Sequence, residues 1–354
     1  MYEEFMGTKP VAERARFDVA ALHAYMRSHV EGFAGELDVE QFRGGQSNPT
    51  FKLTAGGQRY VLRTKPGPAA KLLASAHAID REFRVMDALH KAGFPAARQY
   101  ALCTDESVIG RAFYIMEFVE GRVLWDQGLP GLSPEDRGRH YDEMNRVIAQ
   151  LHTIDYAAIG LADYGKPGNY FARQIDRWTK QYRASETETI DAMDRLIEWL
   201  PVHIPPGDDT SIVHGDYRLD NMIFHPTEPR ILAVLDWELS TLGHPLADFS
   251  YHCMSWHIPP GQFRGIAGLD LASLGIPSEE AYINRYCERT GRAIDREDFA
   301  FYLAYNMFRM AGILQGIMKR HVDGIAASEQ ALKAGQAARP LAELGWEYAC
   351  GKRR

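Results

Sequence analysis

The sequence is poor in cysteine, and its four, Cys103, Cys253, Cys287 and Cys350, lie far apart with no CxxC pair. That leaves neither a zinc knuckle nor a disulfide framework to expect, and reduced structural thiols are the default. There is no surplus of positive charge either: 40 Lys and Arg stand against 47 Asp and Glu, for a formal net charge of -7. This argues against capture of nucleic acid through bulk phosphate attraction. No apolar run approaches the roughly 18 residues of a membrane span, and the N-terminal MYEEFMGTKPVAERARF has no apolar signal core. The expectation is a cytoplasmic chain without nucleic acid or membrane as partner. Internal repeats, low-complexity tracts and heptads are missing as well. So is HExxH, which weighs against reading His214, Asp216, His244, Asp248, His252 and His257 as a metal-hydrolase set.

What remains is the composition of an ordinary globular protein, 45% hydrophobic and 25% charged over 354 residues. That length suggests two domains or two lobes. DVAALHAYMRSHVEGF has a helical face of Val19, Leu22, His23, Tyr25 and Met26. FKLT and RYVLRT, joined by Ala-Gly-Gly-Gln, form the pattern of a β-hairpin whose turn needs positive φ. HAIDREFRVMDALHKAGF reads as an amphipathic helix with Ile79, Phe83, Met86, Leu89 and His90 at helical spacing, stopped by Gly93 and Pro95. AFYIMEFVEGRVL reads as a buried strand that opens into a linker at Glu120-Gly121. Beyond it, SPEDRGRHYDEMNRVIAQLHTI starts as a helix with Ser-Pro-Glu, and a second helix is expected over NYFARQIDRWTKQYRAS. Short β-type pieces, SIVHGD, MIFH and ILAVLDW, interrupt this helical half before AYINRYCERTG and FYLAYNMFRMAGILQGIMKRH return to helix.

Chemistry concentrates in HGDYRLDNMIF, residues 214–224. Phosphoryl transfer asks little covalent help of a protein; it needs a carboxylate to orient the attacking hydroxyl and oxygen ligands for Mg²⁺ against nucleotide phosphates. Asp216 and Asn221 are five apart, the spacing of the Asp and Asn in a kinase catalytic loop, and Asp236 follows the apolar run ILAVL. An isolated Asp before a buried strand is usually a turn or cap residue; three residue types agreeing at two spacings reverse that reading.

On HGDYRLDN and LDWE the sequence resembles the aminoglycoside phosphotransferase family, kinases of small molecules, from FRGGQSN to about GILQGIM. The resemblance implies an α+β, protein-kinase-like two-lobed fold, with a β-rich N-lobe over 1–119 and a mainly helical C-lobe over 120–354. It implies Asp216 as catalytic base, Asn221 and Asp236 as Mg²⁺ ligands, and Asp220 as a loop-ordering residue, with His214 as a brace. Gly44, Gly45, Gln46, Ser47 and Asn48 would cover the phosphates of ATP, with GTP as the alternative, since Gly permits close backbone approach.

In QRYVLRTKPG, strand alternation puts Val61, Arg63 and Lys65 on one face, so both cations are candidates for the phosphates. The family register favours Arg63, a departure from the lysine of protein kinases, with Glu82 as its helix partner. FYIMEFVEG would be the connector that meets the adenine, through Met116 and the stretch from Glu117 to Val119. Arg173, Arg177, Lys180 and Arg183, among aromatics, would give a basic rim or a solvated helix. That stretch, with DWELSTLGHPLADFSYH, is similar to the kinase-like domain fused to some acyl-CoA dehydrogenases. This similarity implies a hydroxylated acyl acceptor, also as its CoA thioester. An aminoglycoside, choline-like or sugar kinase and a non-catalytic nucleotide-binding module are the alternatives.

Overall fold

Two consecutive glycines decide the first hairpin. Gly56 and Gly57 adopt φ of +55° and +79°, the left-handed pair that suits a two-residue hairpin turn. Thr50–Ala55 and Gln58–Thr64 therefore pair antiparallel, from Ala55 opposite Gln58 to Thr50 opposite Arg63. The structure is a computed structural model and describes residues 7–43, 48–66, 78–262, 265–324 and 329–353. Gly44, Gly45, Gln46 and Ser47 of the expected phosphate-covering loop lie outside the described residues.

In chain order the elements are β1 (Thr8–Lys9), α1 (Val19–His29), β2 (Asp38–Phe42), β3 (Thr50–Ala55), β4 (Gln58–Thr64), α2 (Ile79–Lys91), β5 (Gln99–Cys103) and β6 (Phe113–Glu117). There follow α3 (Pro134–Thr153), α4 (Tyr170–Ser185), α5 (Asp191–Trp199), β7 (Ser211–Val213), β8 (Met222–Phe224), β9 (Ile231–Val234) and β10 (Thr241–Gly243). The last are α6 (Pro245–Cys253), α7 (Leu271–Leu274), α8 (Glu279–Thr290), α9 (Arg296–Val322), α10 (Glu329–Gln336) and α11 (Ala338–Ala349). The chain folds as two compact units. One comprises Met1–Trp125, Tyr156–Tyr164 and Asp220–Ser240, so it takes in two stretches from beyond residue 119; the other comprises Asp126–Asp155, Gly165–Leu219 and Thr241–Arg354.

The first unit holds an antiparallel sheet in the order β1-β2-β3-β4-β6-β5. Strand alternation sorts its side chains. Phe51, Leu53, Leu62, Phe113 and Ile115 join Leu22 and Met26 of α1 in one core. Val61 and Arg63 of β4 stand opposite Met116 and Tyr114 of β6, and α2 lies against β5 and β6. One expectation changes here. Val19, placed on the apolar face of α1, is 40% exposed, because Asp18 caps the helix at Ala21 N and leaves Val19 in the open first turn. Glu82, expected as the helix partner of Arg63, is buried in α2. The same unit includes the small β8–β9 hairpin.

The second unit is mostly helical. Ser133 accepts the Asp136 N–H and Pro134 follows at the first helical position, which starts α3 where the sequence signals it. Asp295 caps α9 through the N–H groups of Glu297 and Asp298. α9 packs against α4, α6, α10 and α11, and α3 against α8 and β7. Within it, β7 and β10 pair antiparallel. No helix among the described residues is long and apolar enough to cross a membrane. Cys103, Cys253, Cys287 and Cys350 are free thiols.

Candidate active site

In the first unit the site is built around Arg63. Its Nε lies 2.8 Å from Glu82 Oε2, and its Nη2 lies 3.0 Å from Asp236 Oδ1 and 3.5 Å from Glu238 Oε2. Burial works against this charge, but Tyr114, Glu82, Asp236 and Glu238 outweigh it and hold the guanidinium above its ordinary value. Glu82 is fixed from two further sides, accepting from Asn48 Nδ2 and from Tyr114 Oη, each at 3.0 Å. A buried ion pair of this kind adds little net stability, since desolvation consumes the attraction. Its effect is to fix where the guanidinium sits.

Replacement by lysine would keep the charge and lose the planar fork that spans Glu82 and Asp236 together. Arg63→Lys is therefore expected to lower stability by about 1–3 kcal/mol, read by urea titration; an unchanged midpoint would contradict the bridging role of the fork. Lys65 lies beyond the end of β4, with its backbone N–H on Ala112 O.

Asn221 and Asp236 flank the β8–β9 hairpin. Asn221 immediately precedes β8 and Asp236 follows β9, and Leu235 N–H donates to Asn221 O at 2.8 Å. An antiparallel pair brings both residues to one end of the hairpin. Asp236 has φ +65° and ψ +64°, a left-handed backbone that costs a non-glycine residue about 1–2 kcal/mol. The neighbour absorbs it: Trp237 is buried, donates Nε1–H to Val234 O at 2.9 Å, and meets Phe94 edge-on. An amide oxygen and a carboxylate are hard oxygen donors, with Glu238 two residues further on, and this donor set fits Mg²⁺ better than a soft metal. No group of three His, Cys, Asp or Glu among the described residues suits a metal ion.

The expected adenine connector is in part committed. Met116 stands opposite Val61, next to the Arg63–Tyr114 pair. Glu117 N–H already donates to Arg98 O at 2.9 Å, so that donor is taken by the sheet. Val119 lies beyond β6, and no hydrogen bond among the described residues occupies its N–H.

In the second unit, Asp216 sits on a loop that follows β7. Asp248 of α6 clamps that loop, with His214 N–H donating to Oδ2 at 2.7 Å and Gly215 N–H to Oδ1 at 2.8 Å. Gly215 has φ +84°, which turns both N–H groups toward one carboxylate and favours glycine. His152, buried beneath, places Nε2 3.3 Å from Asp248 Oδ2 and Nδ1 2.8 Å from Tyr286 Oη. A carboxylate only accepts, so Nε2 carries the proton and the tyrosine donates to Nδ1. Burial opposes the Asp248 charge, but the hydrogen bond and field of His152, with the His214 N–H, hold its pKa below the ordinary value.

Asp216 is then aimed by its neighbours. Tyr251 Oη donates to Oδ1 at 2.5 Å and Arg218 Nε lies 3.2 Å from Oδ2. His214 Nδ1 accepts the Asp216 N–H at 3.1 Å, and Asp220 is buried just before Asn221. Tyr251, Asp248 and Arg309, the last donating to Gly215 O at 2.7 Å, were not singled out by sequence reasoning as parts of this loop. The only signal was the spacing of Asp248 and Tyr251, three apart on a helix face in ADFSYH.

Of the two readings of α4, the solvated helix fits its cations better than a basic rim. Lys180 pairs with Asp176, Arg183 with Glu186 and Asp194, and Arg173 donates to the carbonyls of Gly168 and Lys166. Three of those four cations are engaged within the protein.

Comparison with known proteins fits this geometry. The sequence model described as "Phosphotransferase enzyme family" matches residues 38–300. Mouse acyl-CoA dehydrogenase family member 10 is 45% identical over 97% of this chain. The match covers 32% of that protein, so this chain spans about a third of its length. A solved structure from Ralstonia eutropha JMP134, assigned to the aminoglycoside phosphotransferases, is 70% identical, with a TM-score of 0.89 over 95% of this chain and 99% of that one. A thermostable mutant of the aminoglycoside phosphotransferase APH(4)-Ia, in ternary complex with ADP and hygromycin B, shares the fold alone. It is 16% identical, with a TM-score of 0.58 over 92% of this chain and 97% of that one.

Proposed function

Because the chain belongs to the phosphotransferase enzyme family, with its protein-kinase-like fold, we propose that it transfers the γ-phosphoryl group of ATP to a hydroxyl of a small molecule. The observation that carries this reading is Arg63 held between Glu82 and Asp236. Kinases need a strand cation fixed by a helix glutamate, together with a metal-binding aspartate. ADP in the hygromycin phosphotransferase complex supports an adenine nucleotide.

In this reading Arg63 lies against the nucleotide phosphates, and Asn221 and Asp236 hold Mg²⁺. When bound, the metal neutralises charge on the phosphate oxygens. Asp216 orients the acceptor hydroxyl and takes its proton as the oxygen attacks the γ-phosphorus and ADP leaves with the bridging oxygen. Tyr251 and Arg218 hold that carboxylate in its working direction, while Asp248 and His214 hold the loop beneath it. Met116 with Val119 lines the adenine position.

The acceptor class we favour is a hydroxylated acyl group, free or as its CoA thioester. The support is the 45% identity to acyl-CoA dehydrogenase family member 10; the cations of α4, mostly paired with neighbouring groups on the surface, add nothing to it. The test is a transfer assay with γ-labelled ATP that compares hydroxyacyl-CoAs with aminoglycosides and small alcohols. Label should move to at least one hydroxyacyl acceptor, only with Mg²⁺ present, and stop on chelation. Transfer to aminoglycosides alone would replace the acceptor assignment, and transfer to no acceptor, with no Mg²⁺-dependent ATP turnover, would defeat the reading.

A further inference from the structure

Arg309 of α9 is 8% exposed, yet among the described residues no carboxylate lies within ion-pair distance of it. Among the described residues its one hydrogen bond runs to the Gly215 carbonyl oxygen at 2.7 Å. A guanidinium has five N–H donors and no acceptor, so most of its donors are unspent. The rings of Trp178 and Tyr251 lie 5.6 Å and 5.3 Å from its central carbon. Those rings stabilise the cation through their faces but do not match its in-plane donors. Trp178 carries a further donor, its buried indole N–H, which has no hydrogen-bond partner among the described residues.

A desolvated cation beside an unpartnered N–H is a donor surplus. Native interiors seldom tolerate this unless a ligand completes it. Its complement is a group rich in acceptors and negatively charged. The location matters as much as the charge. Gly215, which accepts from Arg309, directly precedes Asp216, and Tyr251, over which Arg309 lies, donates to Asp216 Oδ1. An anion brought to Asp216 would meet repulsion from that carboxylate, and Arg309 is placed to offset it.

We propose that Arg309 and Trp178 form an oxyanion subsite beside Asp216 that binds a carboxylate-type or phosphate-type oxygen of the substrate and disfavours amines. Its part in turnover rests on the phosphotransfer reading of Asp216; its binding chemistry does not. Two sources share this chemistry: a carboxylate on the acceptor, and the phosphoryl group once transferred.

The full chain is titrated with hexanoate, hexyl phosphate, inorganic phosphate and hexylamine, by calorimetry and by tryptophan fluorescence. Arg309→Gln, Arg309→Lys and Trp178→Phe are run alongside. At least one anion should bind and hexylamine should not. Arg309→Gln should weaken the anion at least about tenfold, the scale of one lost charge-assisted bond, with Arg309→Lys intermediate. Trp178→Phe keeps the ring and loses the N–H, so it should weaken binding a few-fold and reduce the fluorescence change, even where the Arg309 variants do not fold. Preference for hexanoate identifies an acceptor carboxylate as the occupant, and preference for the phosphates identifies the transferred group.

Absence of anion binding, equal binding of hexylamine, or unchanged affinity in both Arg309→Gln and Trp178→Phe overturns the subsite. Asp216→Asn separates the two readings, because it should stop transfer yet keep or tighten anion binding. Anion binding through Arg309 without transfer to any acceptor would leave the subsite and remove the kinase; transfer with Arg309-independent binding would do the reverse.

Discussion

Asp216→Asn is expected to lower phosphoryl transfer by about 10²–10⁴-fold, the usual contribution of general-base assistance, while nucleotide affinity stays near that of the wild type. The fold should tolerate the change because the loop is held by groups other than this side chain. His214 N–H and Gly215 N–H bind Asp248, Gly215 O binds Arg309, and Asp216 itself enters the scaffold through its backbone N–H on His214. Asparagine can still accept from Tyr251 through its amide oxygen. Its amide nitrogen then faces Arg218, which pairs with Oδ2 in the wild type, and it cannot accept a proton. The measurement is initial-rate kinetics beside nucleotide titration and thermal unfolding. A wild-type rate in a folded Asp216→Asn protein would remove Asp216 from the chemistry.

Local signals carried much of this structure in the sequence. Gly56-Gly57 announced the hairpin, Ser133-Pro134 the start of α3, and the five-residue spacing of Asp216 and Asn221 the loop. Arg63 and Glu82, matched from family register, do form an ion pair. Less legible was the network whose partners are far apart in sequence. Asp248 looks like an ordinary acid in the first turn of α6, where a helix dipole favours one. Only folding shows that it faces two backbone N–H groups more than thirty residues away. Backbone donors have no side-chain identity, so no residue pattern advertises them. Arg309 is hidden for a similar reason: within an apolar helix it looks like an exposed charge until packing buries it. The solvated face of α4 was legible locally, since Asp176 is four residues before Lys180, a pair visible in the sequence itself.

Asp248→Asn should destabilise the fold by about 3–5 kcal/mol. Both carboxylate oxygens of Asp248 accept a backbone N–H, Oδ1 from Gly215 and Oδ2 from His214. Whichever way the amide turns, its NH₂ confronts a backbone N–H, donor against donor, in a fully buried position. The pH dependence follows from the direction of the Asp248 shift. Its pKa is held low in the folded protein, so its stabilisation is fully present above the unfolded-state value of about 3.9 and is lost as pH falls through the folded value. Urea midpoints of wild type and Asp248→Asn should therefore differ by a constant amount from pH 8 to about pH 6.5, and converge only in strong acid. His152, which burial holds below its ordinary pKa, makes the folded protein acid-sensitive from about pH 6.5 downward. Asp248 raises the His152 pKa in the wild type, so in Asp248→Asn the same loss continues to lower pH and the gap does not close before Asp248 itself titrates. Turnover should fall as well, because the clamp that fixes His214 and Gly215 is what aims Asp216, and a displacement of about 1 Å at a reacting group can cost 10²-fold. A gap between the midpoints that closes already near pH 7, or a mutant as stable and as active as the wild type, would mean that Asp248 is not the anion holding the loop.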